Sequence, residues 1–420
     1  MLSGTRKRLP RKRPDGVVGG PTDGMLPVDG GGDLRVSRLE WERAAERSRE
    51  WSLLASSGGV EDASGSYEWC VALREAHHRS GSTPVLIAED AHGLRAVWPL
   101  HFEQTRIAQM IRCRRLVDVS AWFRTHNAIL CRVDLDVTVD RMLTYLLGEM
   151  DGWDELSVLD LIPGSPSHRA LVAAAAAHGL ATHEFPSHRS PYLTLPATWE
   201  EYLATRTSKF RNSLKRNERN FQSLSELTVE VIRDPDQMLR GFEAMLEIES
   251  HSWKEQAASA ITSLAWQRHF YQRLVELTAA SGALDLTLAR SEGRPIAYWF
   301  ALRHDNRYSL LKHSYDDSKR ASSPGKAMCA LTMRRLIAEG VAELDFLGAD
   351  EPWKLEWTDQ GRHHVNLLVF RNARYAALRQ AVRWFGRVAH RLRGRTGSSR
   401  STPTQTTPAP TVGVGSPPDD

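Results

Sequence analysis

The residues whose types and spacing could do chemistry gather between Tyr308 and Trp357. An apolar run, Tyr308-Ser-Leu-Leu-Lys-His-Ser-Tyr315, reads as a strand. The loop after it delivers Ser322, Ser323, Gly325 and Lys326 to the start of a helix, with Arg320 just before. Free backbone N–H groups and the positive end of the helix dipole make such a start an anion site, and a glycine lets a phosphate approach closely. Ser and Pro also mark an ordinary helix start. His313, on the preceding strand, could take a proton from an attacking amine or hydroxyl. Asp345 lies in an apolar strand, where an unpaired carboxylate is costly, and nearby Lys354 could pair with it. Asp350 and Glu351 open the loop past that strand, where α/β sheets expose working groups. A core histidine, a structural Asp–Lys pair and a solvated acidic turn are the plain alternatives.

Other clusters are less specific. Glu249-Ser-His-Ser-Trp-Lys254 ends a helix, where Ser252, Trp253 and Lys254 could contact a ligand. A basic helix from Trp199 to Ser223 carries Arg206, Lys209, Arg211, Lys215, Arg216 and Arg219. It could hold a nucleotide, tRNA or an anionic sugar, although a solvated basic face is the ordinary outcome. His77-His78 and His363-His364 are adjacent pairs whose rings point apart on any regular element, so metal ligation is not expected. Cys70, Cys113, Cys131 and Cys329 are scattered, which suggests neither a zinc site nor a disulfide framework.

The elements that must position these residues repeat an order. Helices over 40–54 and 67–79, strands over 85–89 and 94–100, a helix over 138–150, a strand over 155–161, a helix over 168–178 and a closing strand over 190–195 make one half. A second half follows: the basic helix, a strand over 227–233, helices over 235–250 and 262–281, strands over 284–290, 295–304 and 308–315, a helix over 326–339 and a strand over 342–347. This is a mixed α/β plan met twice. A chain of 420 residues suits about two domains of ~150 residues with tails. Residues 1–32 and 394–420 read as disordered, and 373–393 as a basic amphipathic helix that docks on its own domain or lies on an anionic membrane. The net charge of +4 does not imply nucleic acid, and no stretch approaches the roughly 18 apolar residues of a membrane span. A basic start without an apolar segment after it predicts a cytoplasmic protein, with peripheral membrane contact at most.

The sequence resembles the FemAB-like, GNAT-type acetyltransferases often labelled CelD/BcsL. Ser190-Pro-Tyr-Leu-Thr-Leu-Pro196, Phe210-Arg-Asn-Ser-Leu-Lys-Arg216, Glu249 with Ser252-Trp-Lys254, Ser323-Pro-Gly325, and Leu344-Asp-Phe-Leu-Gly348 with Glu351, Lys354 and Trp357 carry the likeness. It covers roughly residues 33–372. The resemblance implies two tandem GNAT-like domains with mixed central sheets, 33–195 and 196–372, the second holding the chemistry. It implies acetyl-CoA or another acyl-CoA as co-substrate, no metal, and an amine or hydroxyl acceptor on a sugar, amino acid or cell-envelope or exopolysaccharide precursor. The loop at Gly325 and Lys326 then stands where such enzymes hold the CoA pyrophosphate, with one glycine in place of the usual glycine-rich form. Direct transfer would use Glu351 or His313 as base, Asp345 and Lys354 to orient the site, and Arg211, Lys215, Ser252, Trp253, Lys254, Tyr315 and Trp357 to meet the acceptor. A Fem-type ligase using aminoacyl-tRNA and a non-catalytic membrane-peripheral module are the two rival readings.

Overall fold

The computed structural model describes residues 34–56, 63–77, 82–107, 110–119, 126–252 and 261–381. The sequence-derived tails, residues 382–393 of the basic helix, and Trp253 and Lys254 lie outside them.

The first half runs β1 (Arg35–Leu39), α1 (Trp41–Ala45), α2 (Ser48–Ser56), α3 (Tyr67–His77), β2 (Val85–Asp90), β3 (Gly93–Ile107), β4 (Ile111–Asp118), β5 (Leu130–Cys131), α4 (Leu135–Gly148), β6 (Glu155–Leu161), α5 (Pro166–Ala177) and β7 (Ala181–Thr194). The second runs α6 (Trp199–Ala204), α7 (Ser208–Gln222), β8 (Thr228–Ile232), α8 (Pro235–Ser250), α9 (Ala265–Thr278), β9 (Leu284–Ser291), β10 (Arg294–His304), β11 (Arg307–Tyr315), α10 (Pro324–Ala338), β12 (Glu343–Asp345), α11 (Pro352–Leu355) and β13 (Gly361–Phe370). A further helix begins at 373 and is described to 381.

Among the described residues, all strands join one 13-stranded sheet in the order β1-β2-β3-β4-β6-β13-β7-β12-β11-β10-β9-β8, with β5 off the path on β3. The order reads the same from both ends once the last strand of each half is exchanged. β4 and β6 are parallel with α4 between them, and β11 and β12 are parallel with α10 between them. β7, which follows β6, pairs with β12; β13, which follows β12, pairs with β6. The two exchanged strands pair with each other at the centre. A duplication is therefore visible in the topology.

The halves also share a core. Leu54, Trp69, Leu73, Phe242, Phe270, Leu286 and Phe300 belong to one buried cluster that spans the junction. Trp69 meets Phe270 edge-on at 5.1 Å, and Arg273 closes the rim on Glu75 at 2.5 Å. An edge-to-face pair of this kind adds about 1 kcal/mol beyond the area it buries.

Several elements depart from the sequence-based expectations. The long basic helix is two helices: Thr207 caps α7 through Phe210 N–H, while Arg211 bonds the Leu203 and Arg206 carbonyls at the end of α6. Local capping outweighs continuity of the helical pattern there. β1 and β4 were not expected, and Gly361–Phe370, counted with the second half, forms a strand inside the first half's part of the sheet.

Candidate active site

β11 and β12 hydrogen-bond only over 307–309 and 343–345. Beyond that, β11 continues to Tyr315 while the chain after Asp345 turns away through Leu347 (φ 50) and Gly348 (φ 61). The wedge so formed opens at the C-terminal ends of two parallel strands, the edge at which open α/β sheets place ligands. α10 starts at the same edge. Its N-cap, Ser323, sits in the left-handed region (φ 57, ψ 45) and makes no side-chain bond to the first turn. The first-turn N–H groups of a 15-residue helix are therefore left without that cap. A Cβ on Gly325 would lie 3.3 Å from the Tyr315 ring, so glycine lets the helix start pack against the end of β11. Lys326 reaches Glu356 at 2.6 Å across the mouth, both side chains about two-fifths exposed.

Facing α10 across the wedge, the 346–357 segment is tied by Lys354. Its buried Nζ donates to the Leu347 carbonyl at 2.8 Å and the Ala349 carbonyl at 3.1 Å, and lies 3.3 Å from Glu351 Oε1. Burial pulls the Lys354 pKa below its ordinary value, and Glu351 resists that pull. Glu351 is exposed, and its Oε2 accepts from the Trp353 indole N–H at 2.6 Å. The Trp353 ring stands 4.4 Å from His313 and packs edge-on to Phe346 and Trp299. Glu351, Lys354 and His313 thus share one aromatic-walled place.

Asp345 is fully buried, and its partner is not Lys354. Its Oδ2 meets His126 Nε2 and Arg362 Nη1, the latter at 2.9 Å, and its Oδ1 accepts from Leu347 N–H at 2.8 Å. Burial alone would raise its pKa, but His126, Arg362 and that N–H outweigh burial and hold it down to about 2. Asp345 is an ionised anchor beneath the site.

Several expected contact residues sit elsewhere. Trp357 is 2% exposed and packs edge-on against Phe210, so it is a wall of the core behind the site. Ser252 is buried with its hydroxyl on the Glu249 carbonyl. Arg211 is consumed by helix capping, while Lys215 is exposed on α7. Arg320 is exposed 3.9 Å from Asp317, and the Ser322 hydroxyl bonds the Lys319 carbonyl. Tyr315, half-buried, lines the seam with Gly325.

Three histidines beneath the site were not among the expected site residues. His126, His364 and His188 stack in parallel, with centroids 5.1 and 4.4 Å apart and planes within 6°. Asp345 closes one end; Asp160, 3.3 Å from His188 Nδ1, closes the other. Ring lone pairs lie in the ring planes, so parallel stacked imidazoles do not converge on a metal, and no such group occurs among the described residues. The apolar run Val365-Asn-Leu-Leu-Val-Phe370 could have revealed β13 and with it Arg362 and His364. Nothing local marks His126.

Known proteins resemble the chain in two ways, a domain match over part of its length and a shared fold. Residues 208–355 match the family model described as Acetyltransferase (GNAT) domain. No curated protein matches the chain. Among solved structures, FemX is similar with a TM-score of 0.54 at 10% identity, covering 81% of this chain and 99% of that one. The C-terminal domain (DUF2156) of a candidate lysylphosphatidylglycerol synthetase from Agrobacterium fabrum gives 0.50 at 12% identity, over 80% and 94% of the two chains. A conserved protein of unknown function from Bacteroides thetaiotaomicron gives 0.50 at 10%, over 78% and 97%. Identities this low speak for the fold alone. The chain has the mixed α+β GNAT fold, and its wedge lies inside the matched GNAT domain. Among the described residues no helix is long and apolar enough to cross a membrane.

Proposed function

We propose that the chain is an acyltransferase that moves an acetyl or longer acyl group from acyl-CoA to an amine or hydroxyl. The acceptor class is a sugar, amino acid or cell-envelope or exopolysaccharide precursor, as in the CelD/BcsL-type enzymes the sequence resembles. One observation carries the reading: the uncapped start of α10 lies at the mouth of the β11/β12 wedge, within the GNAT match. The donor's phosphates meet the first-turn N–H groups and Lys326, and its acyl arm enters the wedge. The acceptor approaches beside Trp353. Glu351, exposed but oriented by Trp353 and Lys354, takes the acceptor's proton as the nucleophile attacks the thioester carbonyl; the CoA thiolate leaves and is protonated. His313 lies close enough to share that role. The reaction takes place on the cytoplasmic side, where acyl-CoA is found.

The test is release of CoA thiol from acetyl-CoA against a panel of amino sugars and amines, with Glu351→Gln and His313→Ala made separately. A fall of about tenfold or more in kcat for either variant supports the assignment. Full activity in both overturns it.

A second reading has its own observation. Lys209, Lys215, Arg216 and Arg219 are exposed on α7, whose carboxylate, Glu218, is taken up by Arg334 at 2.6 Å, and like charges three and four residues apart weaken a helix. Such a face suits the phosphates of an aminoacyl-tRNA donor, as in Fem-type ligases. Binding of tRNA that survives physiological salt and fails in a Lys215→Glu/Arg219→Glu variant would promote this donor over acyl-CoA.

A further inference from the structure

We propose that His126 is a positioning residue for the acyl-transfer site, supplied to the second half by the first. The inference rests on the reading of the site given above and adds a residue outside the matched GNAT segment.

His126 lies on the segment between β4 and β5 and is 2% exposed. Its Nε2 meets Asp345 Oδ2, the carboxylate at the base of the wedge. The same carboxylate draws in Leu347 N–H through its other oxygen. That bond helps hold Leu347 in the left-handed region, which is strained for a leucine and persists only where neighbours enforce it. The turn so fixed aims the Leu347 and Ala349 carbonyls at Lys354 Nζ, and Lys354 in turn steadies Glu351. His126 and Glu351 are thereby joined by contacts through Asp345, Leu347 and Lys354, with only the last member exposed.

The surroundings of His126 suit this task. His364 stacks on its ring with planes 3° apart, which fixes the imidazole plane. Arg362, on β13, supplies the second cationic partner of Asp345, so the carboxylate is gripped from two elements that both lie outside the β11–α10–β12 unit. Without His126 the carboxylate keeps Arg362 and the Leu347 N–H but loses the contact that sets its angle. The Leu347 turn then relaxes, and a displacement of about 1 Å at Glu351 costs up to 10²-fold in rate.

The experiment compares His126→Gln with His126→Asn in the full chain. A glutamine amide reaches the place of Nε2; the shorter asparagine amide does not. For each, acetyl-CoA affinity is read by calorimetry and CoA release from acetyl-CoA is read with water as acceptor. We expect both variants to bind acetyl-CoA within about twofold of wild type, because the α10 start is untouched. We expect the asparagine variant to turn over on the order of tenfold more slowly, with most of the rate recovered in the glutamine variant. Wild-type rates in both variants overturn the proposal, as does equal loss of rate and affinity in both, which would mark a general structural role. A wild-type chain that neither binds nor cleaves acetyl-CoA overturns the donor reading instead. If the asparagine variant does not fold, the glutamine variant decides alone: wild-type affinity and at least half the wild-type rate support the proposal, and a loss of affinity overturns it.

Discussion

Glu155 and Glu343 are structural counterparts. Each opens a short parallel ladder, and each is gripped by the arginine directly opposite: Arg115 Nε at 2.6 Å from Glu155, Arg307 Nε at 2.7 Å from Glu343. Each has a second arginine from the C-terminal part of the chain, Arg379 for Glu155 and Arg362 for Glu343. The duplication therefore survives in individual ion pairs where overall identity between the halves has faded. The helices that follow differ. Asp134 caps α4 with its own carboxylate, on Val137 N–H, and Asp136 adds a second negative charge to the first turn. α10 has neither, and carries Lys326. Of these two counterpart helix starts, α10 alone carries no acidic cap.

The exchanged strands make the two halves interdependent. Removing residues 361–381 leaves β6 and β7 each with an unpaired edge at the centre of the sheet, a template for association with other chains. We expect a chain ending at 360 to be recovered aggregated, and light scattering of the purified product checks this. A monodisperse, cooperatively unfolding product would contradict it.

Replacing Asp345 by alanine leaves the buried His126 without its carboxylate, while Arg362, 15% exposed, keeps only Glu343. Breaking a buried charge cluster from one side costs about 3–5 kcal/mol. The urea midpoint should fall accordingly, whereas Glu351→Gln, at an exposed position, should move it by less than about 0.5 kcal/mol.

The histidine stack gives stability a pH dependence. Burial chiefly, and the neighbouring His126 and His188, lower the His364 pKa from 6.5 to about 4. Between those values the unfolded chain takes up a proton that the fold refuses. Stability is therefore full above about pH 6.5, declines as pH falls toward 4, and is steady in this respect below. The shift is worth about 3 kcal/mol. Asp345 adds its own loss only further down, as pH falls below about 4 toward 2. Urea midpoints between pH 7 and 4 should slope down in the wild type and flatten in His364→Gln; parallel slopes would contradict the assignment.

The start of the last helix is docked by charge. Arg379 grips the buried Glu155 at 2.8 Å, and Ala376 packs with Leu368 and Phe370. Arg379→Ala should raise amide exchange over 373–381 by about tenfold without altering exchange in β13, since the helix loses its one buried ionic contact on Glu155 while Arg115 remains.

Much of this was legible from residue patterns. The strand–loop–helix–strand from Tyr308 to Asp345 is local, and its apolar periodicity and glycine placed α10 and its two flanking strands within two residues. The β2–β3 hairpin was equally plain. What escaped is non-local. β13 reads as a strand by composition, but nothing nearby says that it pairs 200 residues back, with β6. Asp345 was rightly judged to need a partner. Lys354 is nearest in sequence, yet the partners come from residues 126 and 362, because Lys354 is taken up by the carbonyls of the very turn Asp345 creates. Trp357 was expected to meet the acceptor and lies in the core, since its apolar surface has Phe210 to cover it.

The central claim is that the α10 start is the donor's anion cradle. Calorimetric titration of the wild-type chain with acetyl-CoA, repeated on Lys326→Glu, tests it most directly. The account predicts one site per chain, because α4 is capped by Asp134, and affinity weakened about tenfold or more by the reversed charge, or about 1.4 kcal/mol. Binding of equal strength in both proteins, two sites per chain, or no heat at all would contradict it.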